Sequence, residues 1–95
     1  MTTQRQIHLD FQWETSSFTL AYKVIVTETR DGRPLYSITV AKLIGGQTVA
    51  FEETGAFTDS AAIAKAVYTG LVRNQVTPMG LFCAADVLLE TQGGL

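Results

Sequence analysis

Apolar and polar residues alternate strictly near the start of the chain. Ile7, Leu9, Phe11 and Trp13 are separated by His8, Asp10 and Gln12. Period two predicts a half-buried strand at about 6–13. Glu14 to Ser17 is a polar turn, after which alternation resumes. Phe18, Leu20, Tyr22, Val24 and Val26 share one face of a strand at about 18–29. Its β-branched and aromatic content suits a pleated surface. Strands at about 34–44 and 47–53 complete the pattern. Residues directly opposite in an antiparallel pair point to the same side, so loop parity sets the register. A three-residue loop, Arg30-Asp31-Gly32, pairs Val26 with Tyr36, Val24 with Ile38 and Tyr22 with Val40. It also puts Gly32 where such a loop needs a left-handed residue. Lys42 then falls opposite Leu20, the one misfit on an apolar face, where its stem can lie along the sheet while its ammonium reaches out. A Gly45-Gly46 hairpin turn pairs Lys42 with Val49 and Val40 with Phe51. Across the first turn, Trp13 pairs with Phe18, Phe11 with Leu20 and Leu9 with Tyr22. These registers place nearly all large apolar strand residues on one face.

The period then lengthens. Thr58 or Asp59 can cap a helix over about 59–73, with Ile63, Val67 and Leu71 recurring every fourth residue. Ala66 and Gly70 beside them would let the helix lie close to the sheet, and Lys65, Thr69 and Arg73 form its polar stripe. Thr77-Pro78 opens a second helix over about 78–90, leaving a tail at 91–95. Leu81, Ala84, Ala85 and Leu88 make its inner stripe. Met79, Phe82, Cys83 and Val87 make it apolar nearly all round, more than one sheet can cover. The expected fold is α+β in two layers over a single domain, residues 1–95. A four-stranded antiparallel meander (ββββαα, order 1-2-3-4) is covered on one face by a C-terminal helical hairpin.

Composition narrows function by exclusion. The chain has 95 residues, of which 46% are apolar and only 17% charged, with a net charge of −2. Low charge hints at a surface covered by a partner. No run of basic residues marks a nucleic-acid footprint. No apolar run nears the ~20 residues that span a bilayer, and the first residues lack the apolar core of a signal peptide. A single cysteine excludes an internal disulfide and fits a reducing compartment. A cytoplasmic protein without nucleic-acid or membrane partners is expected.

Candidate chemistry is sparse. The registers would set His8, Lys23, Thr39 and Glu52 in one row across the outer sheet face, with Asp10, Ala21, Ala41 and Ala50 in the next. A polar row beside an alanine trough can hold a small ligand or receive another subunit, although a solvated face is the commoner arrangement. His8 has no second histidine and Cys83 belongs to the helical layer, so neither a metal site nor a cofactor is expected. Cys83 lacks the base that a nucleophile needs. Asp86 and Glu90, four apart, read as surface ion-pair partners of Lys65. Arg30 and Arg33 at a hairpin tip are offset by Asp31. The candidate ligand set is His8, Asp10, Lys23, Thr39 and Glu52. The candidate interaction surface is Met79, Phe82, Cys83 and Val87.

Arg73-Asn74-Gln75-Val76-Thr77-Pro78-Met79-Gly80-Leu81 resembles a break found in an uncharacterised family of small Firmicutes (Clostridia-type) proteins. Members share a helix, an Arg-Asn-x-Val-[Ser/Thr]-Pro-x-x-Leu segment, and a second helix. The Tyr36-Ser37-Ile38 strand and the Thr58-Asp59-Ser60 helix start are also similar. The resemblance implies a fold layout and a bacterial, cytoplasmic setting. It carries no established activity. The chain departs from the family at Gly80 and Cys83, where polar or acidic residues are common. The expected function is that of a small non-enzymatic, self-associating protein, a homodimer or partner of another protein. The alternative is a ligand-binding or enzymatic domain using His8, Lys23 and Glu52.

Overall fold

A computed structural model describes the backbone of residues 5–93 and the side chains of residues 5–90. Within these residues four strands form one antiparallel sheet in the order β1-β2-β3-β4. They are β1 (Arg5–Glu14), β2 (Thr19–Glu28), β3 (Pro34–Ile44) and β4 (Gln47–Glu53). Helices α1 (Ala61–Arg73) and α2 (Leu81–Gly93) follow, separated by a 3-10 turn at Pro78–Gly80. The fold is the expected two-layer α+β meander, with α2 running three residues past the expected end at Glu90. The rest of the expected tail, residues 94–95, lies outside the described residues, as do residues 1–4.

The β2–β3 register matches expectation throughout, from Val26 opposite Tyr36 to Leu20 opposite Lys42. Gly32 has φ +82° in the three-residue loop, as the turn requires. Lys42 resolves its misfit by setting its ammonium 4.8 Å from the centre of the Phe18 ring.

The outer pairs differ. Thr15 organises the first turn: its N–H donates to the Phe18 carbonyl at 2.8 Å, and its hydroxyl accepts from the Phe18 N–H at 2.9 Å. The strands therefore restart one residue later on each side. Trp13 faces Leu20, Phe11 faces Tyr22 and Leu9 faces Val24. The faces are kept, but each pair moves by two. Two bulges break the alternation as well, one at His8 between Ile7 and Leu9 and one at Val49, between Thr48 and Ala50. The first sends Ile7 to the outer face, opposite Ile25. The second sends Phe51 to the outer face, opposite Ala41, and Glu52 to the helix side, opposite Val40.

The core lies between β2–β3 and the helices. Leu20, Tyr22, Val24, Ile38 and Val40 meet Ala64, Val67, Leu71 and Leu81, all essentially buried. The Tyr22 hydroxyl donates to the Val76 carbonyl at 3.0 Å, tying the sheet centre to the interhelix break. After β4 the chain returns beside β3, where the Tyr36 N–H donates to the Thr58 carbonyl at 2.8 Å. Thr58 is therefore spent on the sheet. Ser60 caps α1, accepting the Ile63 N–H at 3.2 Å. Asp59 instead pairs with Arg33 at 3.4 Å. Thr77 holds the cap position before Pro78 without a side-chain capping bond. Gly70 serves a helix–helix contact rather than a helix–sheet one: a Cβ there would stand 2.7 Å from Leu88 Cδ2.

Candidate functional site

Two surfaces carry the candidate residues. The first is the outer face of the sheet. Asp10 faces Lys23, Lys23 faces Thr39, and Thr39 faces Glu53. The expected row of His8, Lys23, Thr39 and Glu52 is not formed. The bulge turns His8 to the helix side, where its ring meets Tyr36 edge-on at 5.4 Å between centroids. Glu52 lies on that same side, on the opposite edge strand. Only Lys23 and Thr39 of that row share the outer face, joined by Asp10. Bulges carry no signature in an alternating pattern, which is why Glu53 and Phe51 were missed.

No helix lies on this face among the described residues, yet Ala21, Ile25, Ser37 and Thr39 are buried. Their burial, with a side chain of β1 touching one of β4 across the same side, means that the sheet curls toward this face and makes it concave. Arg5 on β1 reaches Glu53 on β4 at 2.5 Å, and the Ser37 hydroxyl donates to the same Glu53 oxygen at 3.2 Å. This strap crosses the face from edge to edge above Ile25 and Ser37. Beside it lies a depression of about 170 Å³, floored by Ala21 and Ala41 and walled by Phe51. Lys23 and Thr39 open onto it. Among the described residues, neither Lys23 nor Thr39 has a side-chain hydrogen bond or ion-pair partner.

The second surface is the outside of the helical layer. Met79, Phe82, Cys83 and Val87 are all exposed, Met79 almost completely at 96%. Two grooves of about 520 and 330 Å³ meet at Asn74 and Leu88. The larger is rimmed by Lys65 and Arg73 of α1. The smaller is apolar, lined by Val76, Cys83, Ala84 and Val87. Asp86 and Glu90 are exposed on α2. The expected pairing with Lys65 is not made: among the described residues the ion pairs are Arg5–Glu53 and Arg33–Asp59. Four charges of complementary sign therefore stand without internal partners among the described residues. Among those residues no cluster of histidine, cysteine or carboxylate groups can hold a metal, and no helix is long and apolar enough to cross a membrane.

No protein-family model, curated protein or solved structure matches the chain. Function rests on the chemistry of these two surfaces.

Proposed function

We propose that the chain is a non-enzymatic, self-associating protein whose helical face receives a second copy of itself. The observation that carries this reading is the pairing of opposites on one surface. A groove with basic residues on its α1 rim, Lys65 and Arg73, adjoins a helix whose charges are acidic, Asp86 and Glu90. In a two-fold dimer the same patch meets itself, so one helix α2 lies against the partner's α1 rim and the reverse. Met79, Phe82 and Val87 then supply the apolar centre of the contact, and the charges form its rim. A patch of this kind on a chain this small is a recognised mark of an interaction site. In keeping with the family it resembles, we place the protein in a bacterial cytoplasm.

Light scattering coupled to size exclusion tests this at micromolar concentration. The expected mass is twice the 10.3 kDa of one chain. Phe82→Asp together with Val87→Asp should return it to one chain mass with the circular-dichroism spectrum kept. A native chain that stays strictly monomeric at these concentrations overturns the reading.

A further inference from the structure

The concave outer face has a chemistry that self-association through the helices leaves unused. Thr39 is only 8% exposed, and its hydroxyl has no hydrogen-bond partner among the described residues. Among the described residues no buried side-chain nitrogen or oxygen lacks a partner, so the Thr39 hydroxyl reaches the open space of the depression and can donate into it. Lys23, directly opposite on β2, is the single charged residue among those lining the depression. Glu53 faces Thr39 from the other side, but its carboxylate is already held by Arg5 and Ser37. Asp10 faces Lys23 from β1 without forming an ion pair and does not line the depression. An ammonium and a hydroxyl donor on adjacent strands suit a carboxylate. The remainder is mixed: Ala21, Ala41, Leu43 and the Phe51 ring, displaced to this face by the Val49 bulge, give an apolar part, and Gln12 and Thr48 are neutral and polar. The volume of about 170 Å³ is below the 300 Å³ or so at which drug-sized ligand pockets begin, which suits a ligand smaller than a nucleotide.

We infer that this depression binds a small monocarboxylate with a short apolar or aromatic body, the anion on Lys23 and Thr39 and the body against Ala21, Ala41 and Phe51. Benzoate is a suitable probe. A ligand of so few atoms should bind with a Kd of about 1 mM. Titrating benzoate into the ¹⁵N-labelled full chain should shift the amides of Ala21, Lys23, Thr39, Ala41 and Phe51 and leave those of α2 still. Lys23→Met should weaken binding about tenfold or more, and Thr39→Val, nearly isosteric, several-fold. Asp10→Asn should tighten it about two- to threefold by removing a competing negative charge. Benzamide, the neutral counterpart, should bind at least about tenfold more weakly than benzoate, a comparison that needs no variant. Equal binding of benzamide, or no shift at those five amides in about 10 mM benzoate, overturns the inference. Displacement of benzoate by an equal concentration of inorganic phosphate would overturn the role given to Phe51.

Discussion

Gln75 has a φ of +53°, the one positive value among described residues other than glycine. It follows the last residues of α1, where the Val76 N–H donates to the Leu71 carbonyl and the Gln75 N–H to the Val72 carbonyl, both at 3.1 Å. That pair of bonds closes a Schellman cap, whose left-handed position is usually glycine. The side chain at Gln75 carries the steric cost of that conformation for no visible gain in contacts. Gln75→Gly should stabilise the protein by about 0.5–1 kcal/mol, the relief of strain exceeding the added freedom of the unfolded chain. Thermal unfolding should show a rise of about 4 °C. The carbonyl of the next residue, Val76, accepts from Tyr22 of β2, which is fully buried, and burial pushes the Tyr22 hydroxyl up from 10.0 to about 12. The neutral form is the one the fold stabilises. Tyr22 therefore contributes fully below pH 10, and that contribution is lost as pH rises from there to about 12. The loss amounts to about 2–3 kcal/mol at the top of the window. Tyr68 is raised too, by partial burial first and by the Asp10 charge second, and it acts in the same direction. Tyr22→Phe should cost about 1–2 kcal/mol at neutral pH, because the Val76 carbonyl loses its donor. It should also flatten the alkaline fall in stability, read by urea unfolding at stepped pH.

At the scale of elements, the alternating pattern was a faithful guide to faces up to each bulge and reversed them beyond it. The β2–β3 register was legible because two requirements coincided at Gly32, loop parity and positive φ. The Gly45-Gly46 turn was legible from glycine's tolerance of positive φ alone, and Ile44 does face Gln47, although the pairs beyond the Val49 bulge differ from expectation. The errors began where a residue was inserted without any change in the polar pattern. His8 is polar between two apolar neighbours, as an outward-facing residue would be, yet it occupies a bulge and turns inward. Val49 is apolar and reads as an inward residue, yet it is the extra residue of β4 and remains 54% exposed. Thr58 was a good capping residue on paper, but the sheet used its backbone first and Ser60 took the cap. The candidate site suffered most, since His8 lies at one bulge and Glu52 beyond the other, and both change face. Of the outer row, Lys23 and Thr39 survive, and Glu53 replaces Glu52. The helix–helix contact was likewise hidden, because spacing cannot tell which neighbour a small residue meets. Gly70 lies under Leu88, so Gly70→Leu should separate α1 from α2. The expected destabilisation is about 1–3 kcal/mol in urea unfolding.

The whole molecule is a slab, 44 × 35 × 17 Å. A slab has two broad faces, and here they differ in kind. The sheet face is concave and bridged by its own Arg5–Glu53 strap, and the helical face is grooved with its charges unpaired among the described residues. A dimer through the helical face pairs the Lys65–Arg73 rim of each copy with Asp86 and Glu90 of the other. Each such pair is worth about 0.2–1 kcal/mol, and two-fold symmetry counts each twice. Lys65→Glu with Arg73→Glu leaves both elements acidic. Asp86→Lys with Glu90→Lys leaves both basic. Each doubly substituted chain should therefore dimerise about tenfold to a hundredfold more weakly than the native chain. Mixed in equal amounts, the two should recover a dimer, because an acidic rim meets a basic helix at one half of the contact and a basic rim meets an acidic helix at the other. Light scattering on each variant alone and on the mixture separates this arrangement from one through the sheet. Association through the outer face would leave both variants dimeric, and mixing would change nothing.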